Sequence, residues 1–263
     1  MPNTTSLIAY VDETSRNDAQ HGQFYALVAT VINVADPDYS ALMRHMYTVA
    51  HRQRTGTIHA SQMRSPEGLK DLTSLENDMG TNPAVMSIAV VRASYGPGGE
   101  EEARQRCVAH LLVSLASTYG VVSVTLDSRD ALGNATKSMT ARKGGRNIID
   151  LRTVEDLKAV GELPETLKVY HANDKNVHQL WLPDIAAYAI GRCLADKDPA
   201  RIRWVAPRLD MKEALLLPVG ERTKVGQKFT SPTELTSDLQ SYLYRAKAFQ
   251  ATSGVGREPE EIS

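Results

Sequence analysis

The sequence LIAYVD, residues 7–12, is a short apolar run that ends in a carboxylate, and VVSVTLD, residues 121–127, repeats this pattern later in the chain. Short apolar runs rich in β-branched residues are typical of buried strands. Each run therefore predicts a strand with an aspartate at its end. If the two strands are neighbours, Asp12 and Asp127 lie side by side at one edge of a sheet.

Outward from these two runs, apolar spacing and capping residues predict the other elements. Further strands are predicted at residues 24–34, 84–93 and 167–172, and helices at residues 38–54, 65–79, 100–119 and 176–194. Residues 18–23 indicate the turn of a hairpin, and residues 147–160 fit either a short strand or a helix. Three leading strands followed by alternating helices and strands predict a mixed five-stranded α/β sheet with flanking helices and a helical insertion between strands 2 and 3.

The pattern is weaker beyond Pro199. Residues 202–209 indicate an edge strand, residues 233–250 a helix, and the polar residues 253–263 a disordered tail. We therefore expect one domain over residues 1–252, with a C-terminal helical extension. A chain of 263 residues is long enough to bury a full core without disulfides or structural metals.

The composition is that of an ordinary globular protein, with a formal net charge of -1. Proteins that bind nucleic acid tightly and without specificity are usually basic, so any nucleic-acid contact here needs a local patch. Cys107 and Cys193 lie in apolar, helical contexts and are expected to be reduced core thiols. No stretch has the roughly 20 apolar residues that a membrane-spanning helix needs, and no signal peptide is visible. The cytoplasm is the expected location, and no membrane partner is expected.

Three carboxylates occupy comparable places in the predicted elements. Asp12 and Asp127 end strands, and Asp184 lies early in the helix that follows the fifth strand. Crowded carboxylates repel one another unless a cation is present, and hard divalent cations prefer oxygen ligands. This favours an Mg2+ or Mn2+ site formed by Asp12, Asp127 and Asp184. Taken singly, each residue also fits a structural role, as a turn residue or as an acid at a helix N-terminus.

The stretches LIAYVDET, TIHASQM, VTLDSRD and NDKNVHQLWLPDIAAYAIGR resemble the motifs of the DUF3800 family over residues 7–195. That family is similar in fold to ribonuclease H and the retroviral integrases, so the resemblance implies a ribonuclease-H-like fold. Its opening motif, Asp-Glu-Ser, becomes Asp12-Glu13-Thr14 here. The chain departs from the family by placing Pro183 directly before Asp184, and by having Thr57 and Ile58 where many relatives carry an acid.

Other residues near the expected site are less decisive. Glu13 points either into the site or, by strand alternation, away from it. His59 fits proton transfer or phosphate contact, although a histidine after a turn is more often structural. Residues 173–175, which include Asp174, follow the fifth strand and fit either an active edge or a simple turn. Basic side chains that could contact a phosphate backbone are Lys137, Arg142, Lys143, Arg146 and Lys175.

Two functions are compatible with these observations. The first is a metal-dependent phosphodiester hydrolase, a nuclease or related phosphoryl-transfer protein, with catalytic residues Asp12, Asp127 and Asp184 supported by Glu13 and His59. The second is a ribonuclease-H-like module without catalysis that binds a protein or nucleic acid, which the near-neutral charge and the missing acid near His59 favour. The sequence leaves DNA or RNA preference, cleavage polarity, oligomeric state and pathway open.

Overall fold

Six strands form one sheet in the computed structural model, which describes residues 6–18, 22–93, 99–129, 147–196, 205 and 208–213. The strands are β1 (Leu7–Asp18), β2 (Gly22–Asn33), β3 (Val85–Ala93), β4 (Val121–Asp127), β5 (Lys168–Ala172) and β6 (Leu209–Glu213). Their order across the sheet is β5-β4-β1-β2-β3-β6. The strands that contain the two apolar runs, β1 and β4, are therefore neighbours, which meets the condition for Asp12 and Asp127 to lie side by side.

The directions of the strands complete the architecture. Strand β1 pairs antiparallel with β2, and β2 antiparallel with β3, whereas β1, β4 and β5 run parallel. This is the predicted mixed arrangement of five strands, and it is confirmed. The sixth strand, β6, pairs parallel with β3 and extends the sheet at that edge. It begins at Leu209, where the predicted edge strand of residues 202–209 ends.

Five α-helices flank the sheet in the described residues, with bounds close to those predicted. They are α1 (Pro37–Arg52), α2 (Pro66–Thr81), α3 (Glu100–Tyr119), α4 (Asn147–Ala159) and α5 (Trp181–Asp196). Asp36 and Ser65 cap α1 and α2 through their side-chain oxygens, and each is followed by proline at the first helical position. Gly120 ends α3 with a φ of 65°, a left-handed conformation that glycine adopts without strain.

The sheet separates two apolar cores. Helices α1, α2 and α5 supply one core, in which Trp181 and Met46 are buried, and helices α3 and α4 supply the other. Strand alternation sends side chains to both, so that Val28 faces the first core and Leu27 the second. The two buried cysteines belong to different cores and are thus on opposite faces of the sheet. Their predicted burial as thiols is confirmed.

Helix α5 packs closely against β1 at a glycine. A Cβ atom placed on Gly191 would lie 2.7 Å from Oγ1 of Thr14 and 3.4 Å from its Cγ2. Any larger residue would require Thr14 or the helix to move. Gly191 therefore sets the distance between the helix that carries Asp184 and the strand that carries Asp12.

Several predicted boundaries differ from the structure. Strands β1 and β2 continue through the polar residues to Asp18 and from Gly22, so the hairpin is longer than predicted. Helix α5 starts at Trp181 rather than at residue 176, after a 3-10 turn at His178–Leu180. The open choice at residues 147–160 resolves to a helix. The predicted helix at residues 233–250 and tail at 253–263 lie outside the described residues. None of the described helices is long and apolar enough to cross a membrane.

Candidate active site

Asp12 and Asp127 are brought together by the register of two parallel strands. Val11 of β1 is paired with Leu126 of β4, so the next residue of each strand is an aspartate. Asp127 is in turn paired with Ala172 at the end of β5. Asp12 lies in the middle of β1 and not at its end as predicted, because β1 continues to Asp18. It therefore lies beside the carboxyl ends of β4 and β5. Both aspartates keep part of their surface accessible to solvent.

Helix α5 places Asp184 beside the same edge. Pro183 is the third residue of the helix, where a missing N–H removes no intrahelical hydrogen bond, so the helix starts normally despite the proline. The Oδ2 atom of Asp184 accepts a hydrogen bond of 2.8 Å from the backbone N–H of Ala60. This bond ties α5 to the short 3-10 turn Ala60–Gln62, within the TIHASQM stretch. Asp184 is therefore not merely an acid at a helix N-terminus.

The three carboxyl groups interact strongly. Burial raises the pKa of Asp12 well above its ordinary value, and the charges of Asp184 and Asp127 raise it further. Burial also raises the pKa of Asp127 to about 6, together with the charge of Asp174. The pKa of Asp184 rises to about 6, mainly through burial, although hydrogen bonds from Ala60 and Asp12 oppose the rise. The group therefore holds protons that isolated carboxylates would release.

A fourth carboxylate, Asp174, joins the group from the loop after β5. Its charge raises the pKa of Asp12, Asp127 and Asp184. His59 lies against it, with Nε2 at 3.4 Å from Oδ2 of Asp174. The charge of His59 also lowers the pKa of Asp184. The sequence left Asp174 as either a turn residue or an active-edge residue, and the structure places it among the three predicted aspartates.

The donor set suits a hard divalent cation. All four acids offer oxygen atoms, and Oδ1 of Asp127 is buried without a hydrogen-bond donor among the described residues. A buried carboxylate oxygen without a donor is costly unless a cation or water satisfies it. As they stand, no three His, Cys, Asp or Glu side chains in the described part of the chain converge closely enough to hold a metal ion. Asp12, Asp127 and Asp184 would have to approach one another to share one ion.

Glu13 lies on the other face of the sheet, as strand alternation allows. It accepts hydrogen bonds from the phenol of Tyr25 in β2 and from Nη1 of Arg104 in α3, and both of these side chains are buried. Arg129 approaches its second oxygen at 3.7 Å. Glu13 is therefore part of an ion-pair network beneath the carboxylate group, and its predicted catalytic role stays a prediction.

That network was not identified from the sequence. Arg104 donates from Nε and Nη2 to both oxygens of Asp150 at 2.7–3.2 Å, and Nε2 of His171 lies 2.9 Å from the same carboxylate. Burial alone would raise the pKa of Asp150, but the hydrogen bonds from His171 and Arg104 outweigh it and lower the pKa. A signal was present, because Arg104 precedes Cys107, Val108 and Leu111 at the spacing of the apolar stripe of α3.

Of the basic residues predicted to contact phosphate, only Lys175 lies within the described residues. Lys175 is exposed and follows Asp174 directly, so it lies at the rim of the carboxylate group. Lys137, Arg142, Lys143 and Arg146 lie outside the described residues. A further arginine, Arg129, follows β4 and forms an ion pair with Glu101 at the start of α3. Together with Asp12, Asp127 and Glu13, it lines a small cavity at the edge of the sheet.

Comparisons with known proteins add little detail to this picture. No family model matches the chain, so its resemblance to the DUF3800 family stays a prediction. No curated protein matches its sequence. Among solved structures, the chain is similar to ribonuclease H2 from Pyrococcus horikoshii OT3, with 14% identity, a TM-score of 0.37, and coverage of 92% of this chain and 89% of that one. It is also similar to a chain of the PCNA:RNase HII complex from Archaeoglobus fulgidus, with 10% identity, a TM-score of 0.36, and coverage of 92% and 90%.

Proposed function

We propose that the protein is a divalent-metal-dependent phosphodiester hydrolase that acts on nucleic acid. The observation that carries this proposal is the gathering of Asp12, Asp127 and Asp184 at one edge of the sheet, where burial and mutual repulsion raise their pKa values. Strongly perturbed carboxyl groups that stay accessible are more typical of functional sites than of structural ones.

Each residue of the candidate site has a role that its position suggests. Asp12, Asp127 and Asp184 would hold Mg2+ or Mn2+, which supplies an activated water and stabilises the leaving oxygen when bound. Ala60 orients one oxygen of Asp184. His59 lies at the rim, 3.4 Å from Asp174, where it can donate a proton to a departing oxygen. Lys175, exposed beside it, offers a positive charge to a substrate phosphate.

The test is cleavage of labelled single- and double-stranded DNA and RNA with Mg2+ or Mn2+. The wild type should cleave at least one of them, and Asp127→Asn should lose about 100-fold or more of the rate, since metal-site carboxylates act at the reacting atoms. Asp156→Asn, at an exposed position on α4, is the matched control and should cleave like the wild type. Equal rates for Asp127→Asn and wild type would contradict the assigned site.

A binding module without catalysis is the second candidate. The raised pKa values of Asp12 and Asp184 favour it, because a proton retained by this pair lessens its repulsion without a cation. Calorimetry at neutral pH separates the two functions. A saturable Mn2+ signal that Asp12→Asn abolishes supports the hydrolase, and the absence of any signal from a folded wild type supports the module.

A further inference from the structure

The face of α1 that is turned to solvent carries a basic and aromatic stripe. Arg44, Tyr47 and His51 follow one another at helical spacing and are all exposed. The helix has one acid, Asp38, in its first turn, so no carboxylate of α1 lies beside this stripe. Neither Arg44 nor His51 forms an ion pair within the described residues, whereas Arg52, just beyond, is held by Asp71 at 2.6 Å. The stripe thus exposes the positive charge of Arg44, which has no ion-pair partner among those residues.

Tyr47 is the centre of an aromatic cluster. Its ring is 39% exposed and meets the His178 ring edge-on, with centroids 5.2 Å apart. His178 in turn stacks on Trp181, with centroids 4.6 Å apart and planes 25° from parallel. The Tyr47 hydroxyl and Nδ1 of His178 lie 3.0 Å apart. Trp181 is 1% exposed and fixes the cluster from below, so Tyr47 is a rigid aromatic surface rather than a freely rotating side chain.

The cluster lies within one helical turn of the carboxylates. Trp181 precedes Asp184 by three residues in α5, a spacing that puts the two Cβ atoms about 5–6 Å apart. Lys175 and Asp174 precede the 3-10 turn that carries His178. A chain of phosphates that crosses the carboxylate group would therefore pass Lys175 and reach the stripe on α1.

We propose that the stripe of Arg44, Tyr47 and His51, together with His178, binds single-stranded nucleic acid, with an unpaired base stacked on Tyr47 and phosphates contacted by Arg44 and Lys175. Aromatic side chains combined with positive charge are the usual surface for unpaired bases, because every base presents a π-face once it leaves the duplex. Paired bases inside a duplex keep both faces covered by their neighbours. This inference rests on the proposed function, whose substrate class it narrows.

The experiment measures binding without cleavage. Labelled oligothymidylate, and a blunt duplex of equal length, are titrated with the protein in EDTA, and fluorescence anisotropy gives Kd. We expect the single strand to bind more tightly than the duplex. Tyr47→Leu should weaken single-strand binding by about 5- to 100-fold, which corresponds to the loss of one stacked base. Tyr47→Phe keeps the ring and should bind nearly as well as the wild type.

Matched controls come from exposed residues outside the stripe. Tyr170→Leu removes a tyrosine of β5 that is 45% exposed, and Arg152→Gln removes an exposed arginine of α4. Both should bind like the wild type. Arg44→Gln should reduce the slope of log Kd against log salt by about 0.7, the value for one lost phosphate contact on a single strand. A duplex preference, or a Tyr47→Leu variant that melts and binds like the wild type, would overturn the proposal.

The same measurements separate this inference from the proposed hydrolysis. If single-strand binding depends on Tyr47 but no metal supports cleavage, the proposed binding surface is supported and the proposed hydrolysis is contradicted. If the protein cleaves nucleic acid but Tyr47→Leu binds the single strand as tightly as the wild type, only the proposed binding surface is contradicted.

Discussion

At the scale of single residues, Asp127 couples the site to pH. Its pKa rises from 3.8 to about 6 in the folded chain, mainly through burial. A folded pKa above the unfolded value means that folding favours the protonated form. The stabilisation is fully present below about pH 4 and is lost as the pH rises through about 6. The metal-free wild type should lose on the order of 2 kcal/mol from this group across that window.

Thermal melts in EDTA at a series of pH values check this expectation. Asp127→Asn should lose less stability than the wild type between pH 4 and about 7, because the asparagine does not ionise. Asp156→Asn on the exposed side of α4 should follow the wild-type profile. Parallel profiles for wild type and Asp127→Asn would show that Asp127 ionises freely in the fold.

Arg104 is the cation on which a buried network depends. It is 2% exposed and bridges Asp150 and Glu13, so Arg104→Met would leave both carboxylates without it. Breaking a buried pair from one side typically costs about 3–5 kcal/mol, because the remaining charge is uncompensated. Urea unfolding should show a loss of this size.

The matched comparison is Arg52→Met, which breaks an exposed pair with Asp71. Exposed pairs contribute about 0–1 kcal/mol, so this variant should unfold close to the wild type. A loss below about 1 kcal/mol for Arg104→Met would mean that the network relaxes around the missing cation.

Local pattern identified Asp12, Asp127 and Asp184 because each follows an apolar run or opens an apolar helix. It could not place Glu13, because strand alternation alone leaves two faces open until a partner is known. That partner, Arg104, lies 91 residues away, beyond the reach of any local spacing rule. Asp174 was equally undecided, since turn-forming and site-forming aspartates have the same local sequence.

At the scale of elements, Gly191 controls how closely α5 approaches β1. Gly191→Ala would put a Cβ atom 2.7 Å from Oγ1 of Thr14, so the helix or the threonine must shift. Overpacking of this kind typically costs about 1–3 kcal/mol. Because α5 also carries Asp184, the same shift should lower the affinity for Mn2+.

A double-mutant cycle tests the cause. Thr14→Ala removes the obstructing atoms, so Gly191→Ala should cost less in the Thr14→Ala background than in the wild type, by about 0.5 kcal/mol or more. Additive losses in urea unfolding would rule out the contact between Gly191 and Thr14 as the source.

Elements with strong end signals were predicted almost to the residue. Proline after a capping residue marks the starts of α1 and α2. The hairpin of β1 and β2 was predicted too short, because most of the outer residues that pair in it are polar and lack the apolar pattern of a strand. The start of α5 was predicted too early, because the 3-10 turn before it continues the apolar pattern of the helix.

At the scale of the whole molecule, the candidate site depends on the order of the strands. The sequence placed Asp12 beside Asp127 only if their strands were neighbours, and the parallel pairing of Val11 with Leu126 meets that condition. The sixth strand adds to the far edge, beside β3, and leaves the carboxylate edge unchanged. The part of the fold that positions the candidate site was therefore predictable, whereas the side chains that orient it were not.

The metal proposal makes a prediction about the stability of the whole fold. A cation that binds only the native state raises the free energy of unfolding by about 2.7 kcal/mol at a concentration 100 times its Kd. Mn2+ or Mg2+ should therefore raise the melting temperature of the wild type, and the rise should saturate. Asp184→Asn should blunt this rise, since one proposed ligand is gone. Its amide oxygen still accepts the hydrogen bond from Ala60, so the anchor of the 3-10 turn is kept.

Without metal, the same variant should melt slightly higher than the wild type. Removing one of several crowded like charges relieves repulsion, which is the trade of stability for function expected where charges are gathered for chemistry. If Asp184 only stabilised the N-terminus of α5, the variant would instead lose about 0.3–1 kcal/mol and melt lower. Thermal melts of both proteins with and without Mn2+ distinguish these outcomes. A lower metal-free melting temperature together with an undiminished metal shift would remove Asp184 from the site.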